Sequence, residues 1–217
     1  MLSLIIADSE IELIPEKIAR HPLVVRRARE RRREPGQILL DSNYDHRAMR
    51  TLENGDRRGR PDIAHICLLI ALDSIPSREG ELRVHIHTRH DSVLTFDSST
   101  RIPRSQARFY GILEGILSTG EGTKFIGYRR MGLVELVRSI EPDLALCLSP
   151  AGQRTNLSRE MTGKDNIVAI VGGFPRGDFA SPVDRIADRM VSLWRDSLDA
   201  WTAVAETISA YRNKGGG

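Results

Sequence analysis

Residues 167–179, IVAIVGGFPRGDF, form a short β-branched apolar run that breaks into a glycine-containing turn. A continuous run of this kind marks a strand buried on both faces, and glycines at its end let another group approach the backbone. The stretch therefore predicts an α/β fold and puts one wall of a small-molecule pocket at its turn. The glycines stand at 172, 173 and 177, with Pro175 and Arg176 between the last two, so the turn is not G-x-G-x-x-G. The Lys and Ser/Thr of a P-loop are missing as well. By itself the turn reads equally well as a structural strand-to-helix connection in which glycine supplies a positive φ.

Around this stretch the second half of the chain alternates strand and helix. Apolar periodicity predicts a helix over 131–140, strands at 144–148 and 167–171, a short helix at 183–187, a strand at 190–194 and a closing helix over 197–212. Such alternation implies a mainly parallel sheet flanked by helices. Three turns, at 148–152, 172–175 and 193–198, follow strand ends. Ligands of open α/β sheets sit beyond the carboxyl ends of strands, so the three turns are placed to build one pocket.

The first half carries the charge. A strand is expected at 2–7 and a helix from Pro15 to about residue 33, ending at Pro35-Gly36, with a second short strand at 37–40. The basic run RRARERRR (26–33) reads as a solvated helical face, with phosphate contact as its alternative. In segment 57–71, RRGRPDIAHICLLIA, Pro61 suits the first turn of a helix that is apolar all round from Ile63 and hence buried. Arg60 and Asp62 then stand at its exposed mouth on a rigid anchor, although Asp62 also simply suits a helix N-terminus. His65, one turn further on, is expected to be a core histidine with its hydrogen bonds satisfied.

In LRVHIHTR (82–89) Leu82, Val84 and Ile86 share one strand face and Arg83, His85, His87 and Arg89 the other. His85 and His87 lack a carboxylate or cysteine at a supporting distance, so no metal is expected. A partner strand follows at 92–96. In RIPRSQARFYGILEGIL (101–117) Pro103 is expected to open a helix whose Phe109, Ile112, Leu113, Ile116 and Leu117 face a core. Arg101, Arg104 and Arg108 gather at its N-terminus. Three guanidinium groups there add to the positive end of the dipole, which favours a bound phosphate.

Composition sets the bounds. A chain of 217 residues, 40% hydrophobic and 28% charged, can bury a real core as one domain. No apolar run approaches a membrane span, and the N-terminus MLSLIIADSEIELI gains acids too early for a signal peptide, which places the chain in the cytoplasm. Cys67 and Cys147 lie in apolar surroundings and read as buried thiols. Lysine occurs only at 17, 124, 164 and 214, so arginine carries nearly all the positive charge. Arginine forks match phosphates and stack on bases, which leans towards RNA.

Taken in order and spacing, RGRPDIAH (58–65), VHIHT (84–88), RIPRSQARFYGILEGIL (101–117), LSPAG (148–152), VGGFPRGDF (171–179) and SLDAWTAV (197–204) resemble the small-subunit ribosomal RNA pseudouridine N1-methyltransferases of the SPOUT superfamily, the shorter archaeal-type members most. The resemblance covers nearly the whole chain. It implies an α/β SPOUT methyltransferase domain over 1–213 with a C-terminal trefoil knot, the knot and cofactor site in roughly 144–213, and a disordered tail at 214–217. It further implies a homodimer, S-adenosylmethionine as cofactor and methylation of N1 of a pseudouridine in a hairpin loop of 16S ribosomal RNA during small-subunit biogenesis.

Carried over by the resemblance, Leu148 and Gly152 belong to the first cofactor loop and Gly172, Gly173 and Gly177 to the second. Leu193, Trp194, Arg195, Asp196, Ser197 and Leu198 belong to the third. Arg60, Arg101, Arg104 and Arg108 match the RNA-binding arginines, and Arg60 and Asp62 the catalytic pair, the acid holding the arginine in position. The third loop departs from the family, since eukaryotic members often show Tyr-Pro-Leu-Ser-Ala where this chain has Trp194-Arg195-Asp196-Ser197-Leu198. A non-catalytic ribosomal RNA assembly factor and a SPOUT methyltransferase acting on another RNA, such as transfer RNA, remain the alternatives.

Overall fold

The computed structural model describes residues 1–215. β1 (Leu2–Ser9) leads into α1 (Glu16–Ala19), α2 (Pro22–Glu30), α3 (Ser42–Met49), α4 (Pro61–Leu72) and the one-turn α5 (Ile75–Arg78). β2 (Leu82–Thr88), β3 (Ser92–Phe96), α6 (Gln106–Thr119), β4 (Ile126–Arg130) and α7 (Leu133–Ile140) follow. The chain closes with β5 (Leu144–Arg154), α8 (Leu157–Met161), β6 (Ile167–Gly172), β7 (Arg189–Ser192) and α9 (Ala200–Arg212).

The strands form one sheet in the order β4-β3-β2-β1-β6-β5-β7. β1 pairs in parallel with β2 and β6, and β5 in parallel with β6 and β7, whereas β3 and β4 extend the β2 edge as antiparallel strands. Every residue of β1 is buried, because both faces of the central strand are covered. Leu2, Leu4 and Ile6 pack with residues of α4, α6, α8 and α9 on one side; Ile5 and Ala7 pack with Leu133, Leu136 and Val137 of α7 on the other. Cys67 and Cys147 are buried free thiols, and burial pushes each up to about 12. Among the described residues no helix is long and apolar enough to cross a membrane.

Several local expectations needed correction. The helix expected from Pro15 to residue 33 is two helices, because Pro22 disfavours a helical residue before it and starts α2 instead, with the His21 ring accepting from Leu23 N–H. The strand expected at 37–40 makes only one isolated bridge, Leu39 to Leu13. Pro103 does not open α6: the helix starts at Gln106 after Ser105, and the Pro103 carbonyl is held by the His65 ring at 2.9 Å. The closing helix starts at Ala200, the helix expected over 183–187 is a single 3-10 turn at Val183–Arg185, the strand expected at 144–148 runs on through a bulge to Arg154, and α3, α5, β4 and α8 have no expected counterpart. Of the expected tail, Lys214 and Gly215 form a turn, with Lys214 Nζ donating to the Lys164 carbonyl at 2.7 Å. Residues 216 and 217 lie outside the described residues.

Between β1 and α4 the chain forms a subsidiary layer around Ile14, Ile18, Val24, Ile38, Leu40 and Met49. Two of its basic residues are anchors and not solvated charges. Arg27 donates to the Leu39 carbonyl and to Asp45, and Arg31 clasps both oxygens of Glu114 in α6. Glu114 is 0% exposed and also accepts from Leu39 N–H. Arg26, Arg29, Arg32 and Arg33 are exposed, as expected for the rest of that face.

Removing Glu114 would leave both Arg31 and the Leu39 N–H without an acceptor. Glu114→Ala is expected to cost about 2–3 kcal/mol, somewhat less than a fully buried pair because Arg31 reaches solvent. Urea unfolding would check this, the midpoint falling while the slope stays unchanged.

Candidate functional site

A cavity of about 720 Å³ opens beyond the carboxyl end of β6 and beside the bulge in β5, where the loops meet the sheet. Leu148, Gly172, Gly177, Ser197 and Leu198 line it, so all three turns singled out in the sequence contribute. Arg60 lines it too, from the start of α4. The fold thus joins a residue of the RGRPD segment to the glycine turn more than a hundred positions later.

Other expected cofactor residues stand outside this lining. Gly152 lies where β5 bulges, Leu148 and Gln153 both pairing with Val191 of β7, and a Cβ on Gly152 would stand 2.5 Å from Val191 N. Gly173 is buried, donating to the Ala7 carbonyl at 2.7 Å, and its Cβ would meet Ser9 Oγ at 2.3 Å. Both glycines permit backbone packing and neither lines the cavity. Leu193, Trp194 and Asp196 border a small neighbouring space of about 50 Å³ between β5 and the third loop. Trp194 is 46% exposed, with the guanidinium groups of Arg154 and Arg195 at 5.0 and 5.7 Å from its ring, and neither Trp194 nor Arg195 lines the cavity.

Arg60 and Asp62 form the expected pair. Arg60 Nε and Nη2 donate to the two Asp62 oxygens at 2.9 and 2.8 Å, a planar fork that fixes the guanidinium in orientation as well as position. This bond holds the Arg60 pKa above its ordinary value. His65 anchors the next layer, its ring stacked 4.6 Å from Phe109 and bonded to Pro103. These contacts dock the front of α6 on α4. Arg101, Arg104 and Arg108 are exposed on that front, and Arg101 Nη1 donates to the Ser98 and Thr100 carbonyls. Burial, with Asp41 and Asp62 adding to it, pushes the Tyr110 hydroxyl of α6 up.

Three carboxylates at the end of β1 went unrecognised in the sequence. Asp8 accepts from Ala180 N–H at 2.7 Å, Ser181 N–H at 3.0 Å and Ser181 Oγ at 2.6 Å. Glu10 binds Arg57 at 2.6 Å and also Arg89; Glu12 takes both ends of the Arg58 fork at 2.7 and 2.6 Å. The expected histidine pair is likewise internal. His85 Nδ1 meets Thr95 Oγ1 at 3.0 Å, and His87 lies between Asp8 and Asp91.

With this geometry in view, the EMG1/NEP1 methyltransferase family model matches residues 4–212. The chain belongs to this family. It is 45% identical over 216 residues to the ribosomal RNA small subunit methyltransferase Nep1 of Pyrococcus furiosus, covering 97% of this chain and 96% of that one. It is 44% identical over 214 residues to the protein of that name from Thermococcus kodakarensis, covering 96% of each. The crystal structure of Archaeoglobus fulgidus Nep1 bound to S-adenosylhomocysteine superposes with a TM-score of 0.88 at 31% identity, covering 99% of both chains.

The cavity of this EMG1/NEP1 member suits such a nucleoside. Leu148, Val171, Leu198 and Ala203 provide apolar walls, Gly172 and Gly177 bring bare backbone to the surface, and Asp178 and Asp199 provide acids that complement a sulfonium and an ammonium group. Phe174, Asp178 and Asp199 were missed in the sequence, although Phe174 and Asp178 sit inside the stretch that opened the reading.

Asp8 supplies a pH test of the loop that closes this site. Burial disfavours its charged form, but hydrogen bonds from His87 and Ser181 outweigh it and lower its pKa to about 2. A carboxyl whose pKa is depressed on folding stabilises above its ordinary value and loses that contribution as pH falls through the folded value. Asp8→Asn is therefore expected to lower stability at neutral pH by about 2 kcal/mol and to flatten the decline between about pH 4 and 2. Thermal unfolding of both proteins across that range is the measurement.

Proposed function

We propose that this chain methylates N1 of a pseudouridine in a hairpin loop of small-subunit (16S) ribosomal RNA, using S-adenosylmethionine, during small-subunit biogenesis in the cytoplasm. The observation that carries the reading is that Arg60, clamped by Asp62, lines the same cavity as Gly172, Gly177 and Leu198. A rigid guanidinium suited to RNA and a pocket suited to the methyl donor share one wall. The printed names of the relatives, ribosomal RNA small subunit methyltransferases, support the substrate class.

S-adenosylmethionine supplies an electrophilic sulfonium methyl when bound. The chain's residues have to bring N1 into line with it and exclude competing orientations. In pseudouridine the base is attached through carbon, leaving N1 as a free imide-like N–H. Arg60 anchors and polarises the target region, and Asp62 acts by orienting Arg60. Both Asp62 oxygens are engaged by the Arg60 fork, which fits an orienting role. Arg101, Arg104 and Arg108 hold phosphates of the hairpin. Such contacts offset the few kcal/mol, roughly, that extruding the target base costs.

The same reading treats 1–213 as one SPOUT domain with its trefoil knot in roughly 144–213. Its support is the parallel β6-β5-β7 end of the sheet, beside which residues of all three turns line one cavity. A homodimer is part of the proposal. Ile66 and Leu69, half-buried on α4, give it an apolar surface to use.

Methyl transfer to two synthetic hairpins differing only in uridine or pseudouridine at the target is expected for the pseudouridine hairpin alone. Equal transfer to both would mean a different target atom, and binding without transfer would favour an assembly factor. Arg60→Ala is expected to lower kcat/KM for the hairpin by about 10²-fold and Asp62→Ala by about tenfold. Full turnover in both variants would sink the assignment. Arg104→Ala should weaken hairpin binding and reduce the slope of log K against log salt by about one, measured by titration at several salt concentrations.

A further inference from the structure

Glu10 stands between the two halves of the site and is bonded to each. Its N–H donates to the Gly173 carbonyl at 3.2 Å in the glycine turn, and its own carbonyl accepts from Arg60 N–H at 3.0 Å. Its side chain makes a second, parallel connection. Glu10 Oε1 accepts from Arg57 Nε at 2.6 Å, and Arg57 Nη1 donates to the Asp178 carbonyl at 2.5 Å. The Arg57 guanidinium also lies 3.9 Å from the centroid of the Phe174 ring, and its Nη1 packs where a Cβ on Gly177 would stand 3.1 Å away. Phe174, Gly177 and Asp178 all line the cavity.

We infer that Glu10 and Arg57 form a joint through which a ligand ordering the 173–178 turn also orders the backbone of Arg60. The inference rests on the reading given under Proposed function and makes Arg57 a positioning residue. The physical basis is the shape of the guanidinium. One edge is fixed on a buried carboxylate, another on a carbonyl and one face on an aromatic ring, so the group cannot follow one partner without displacing the others. A lysine ammonium at the same place would satisfy Glu10 but could not keep all three contacts. Arg58, the next residue, is pinned in the same way to Glu12, so the segment leading into Arg60 has little freedom to absorb a shift. Coupling of this kind is reciprocal. A nucleoside in the cavity favours the Arg60 arrangement that meets RNA, and bound RNA favours the nucleoside by the same factor.

The test is amide hydrogen exchange at Arg60, read by NMR in the full chain with and without saturating S-adenosylhomocysteine. In the native protein exchange at Arg60 is expected to slow by at least about fivefold on saturation. In Arg57→Met and Phe174→Leu, each saturated as verified by calorimetry, the slowing should fall below about twofold, the smallest change set apart from none. Arg57→Lys, which keeps a charge beside Glu10 and guards against a folding defect in Arg57→Met, should not restore it. Native-like protection of Arg60 in Arg57→Met or Arg57→Lys would overturn the joint. Hairpin methylation with Arg60 exchange indifferent to S-adenosylhomocysteine would also overturn it while leaving the function intact. Ligand-dependent protection without methylation of any pseudouridine hairpin would sustain the joint and remove the function.

Discussion

Three buried carboxylates behind the central strand, Asp8, Glu10 and Glu12, determine where the loops of this protein can lie. They are 3%, 2% and 5% exposed, in a place where an unpaired charge would be strongly unfavourable. Each is met by donors from another part of the chain: Asp8 by the 180–181 backbone and Ser181, Glu10 by Arg57 and Arg89, Glu12 by Arg58. Burial alone would raise the pKa of Glu12, yet Arg58, His90 and Arg89 hold it below its ordinary value. The cofactor turn and the arginine segment are consequently fixed to one strand end and, through it, to each other.

The sheet explains why that strand end is available. β1 lies in the middle of the seven strands, buried on both faces and paired on both edges, so its register is set by the core. Its pairing with β2 shifts just before Ser9, and Asp8 takes a left-handed backbone with φ 50°. For a residue other than glycine that conformation costs about 1–3 kcal/mol. The three hydrogen bonds to its carboxylate offset the cost. The irregularity aims Asp8 at the loop after the glycine turn, while Glu10 and Glu12 reach the segment before α4. A strand that is rigid for reasons of packing thereby becomes the reference point for two functional loops.

Much of this was legible along the chain. The apolar stretches at 2–7 and 167–171 and the alternation over 82–89 mark strands, because they supply the side chains that a covered sheet packs. The uniform apolarity after Pro61 marks a buried helix, and the turns at 172 and 197 follow strand ends, whereas the turn expected at 148–152 is a bulge inside β5. Arg60 and Asp62, two residues apart at a helix start, are a local pair and could be read locally. Elements bounded by proline were placed less well: Pro22 divided one expected helix, and Pro103 lies outside α6.

What the sequence by itself determined is most of the sheet strands and the long buried helices, the family and the chemistry of the two ends of the site, since each depends on neighbouring residues. The tertiary structure alone decided which of those residues meet. The acids at 8, 10 and 12 look like ordinary surface charge in sequence, because their partners stand 46 to 173 positions away. Gly152 and Gly173 stand where a Cβ would collide with Val191 and Ser9, a close approach that only the tertiary structure shows. Periodicity reports which face of an element is apolar. It carries no information about distant charges brought together, whose pairing is fixed only when burial removes water as the alternative partner.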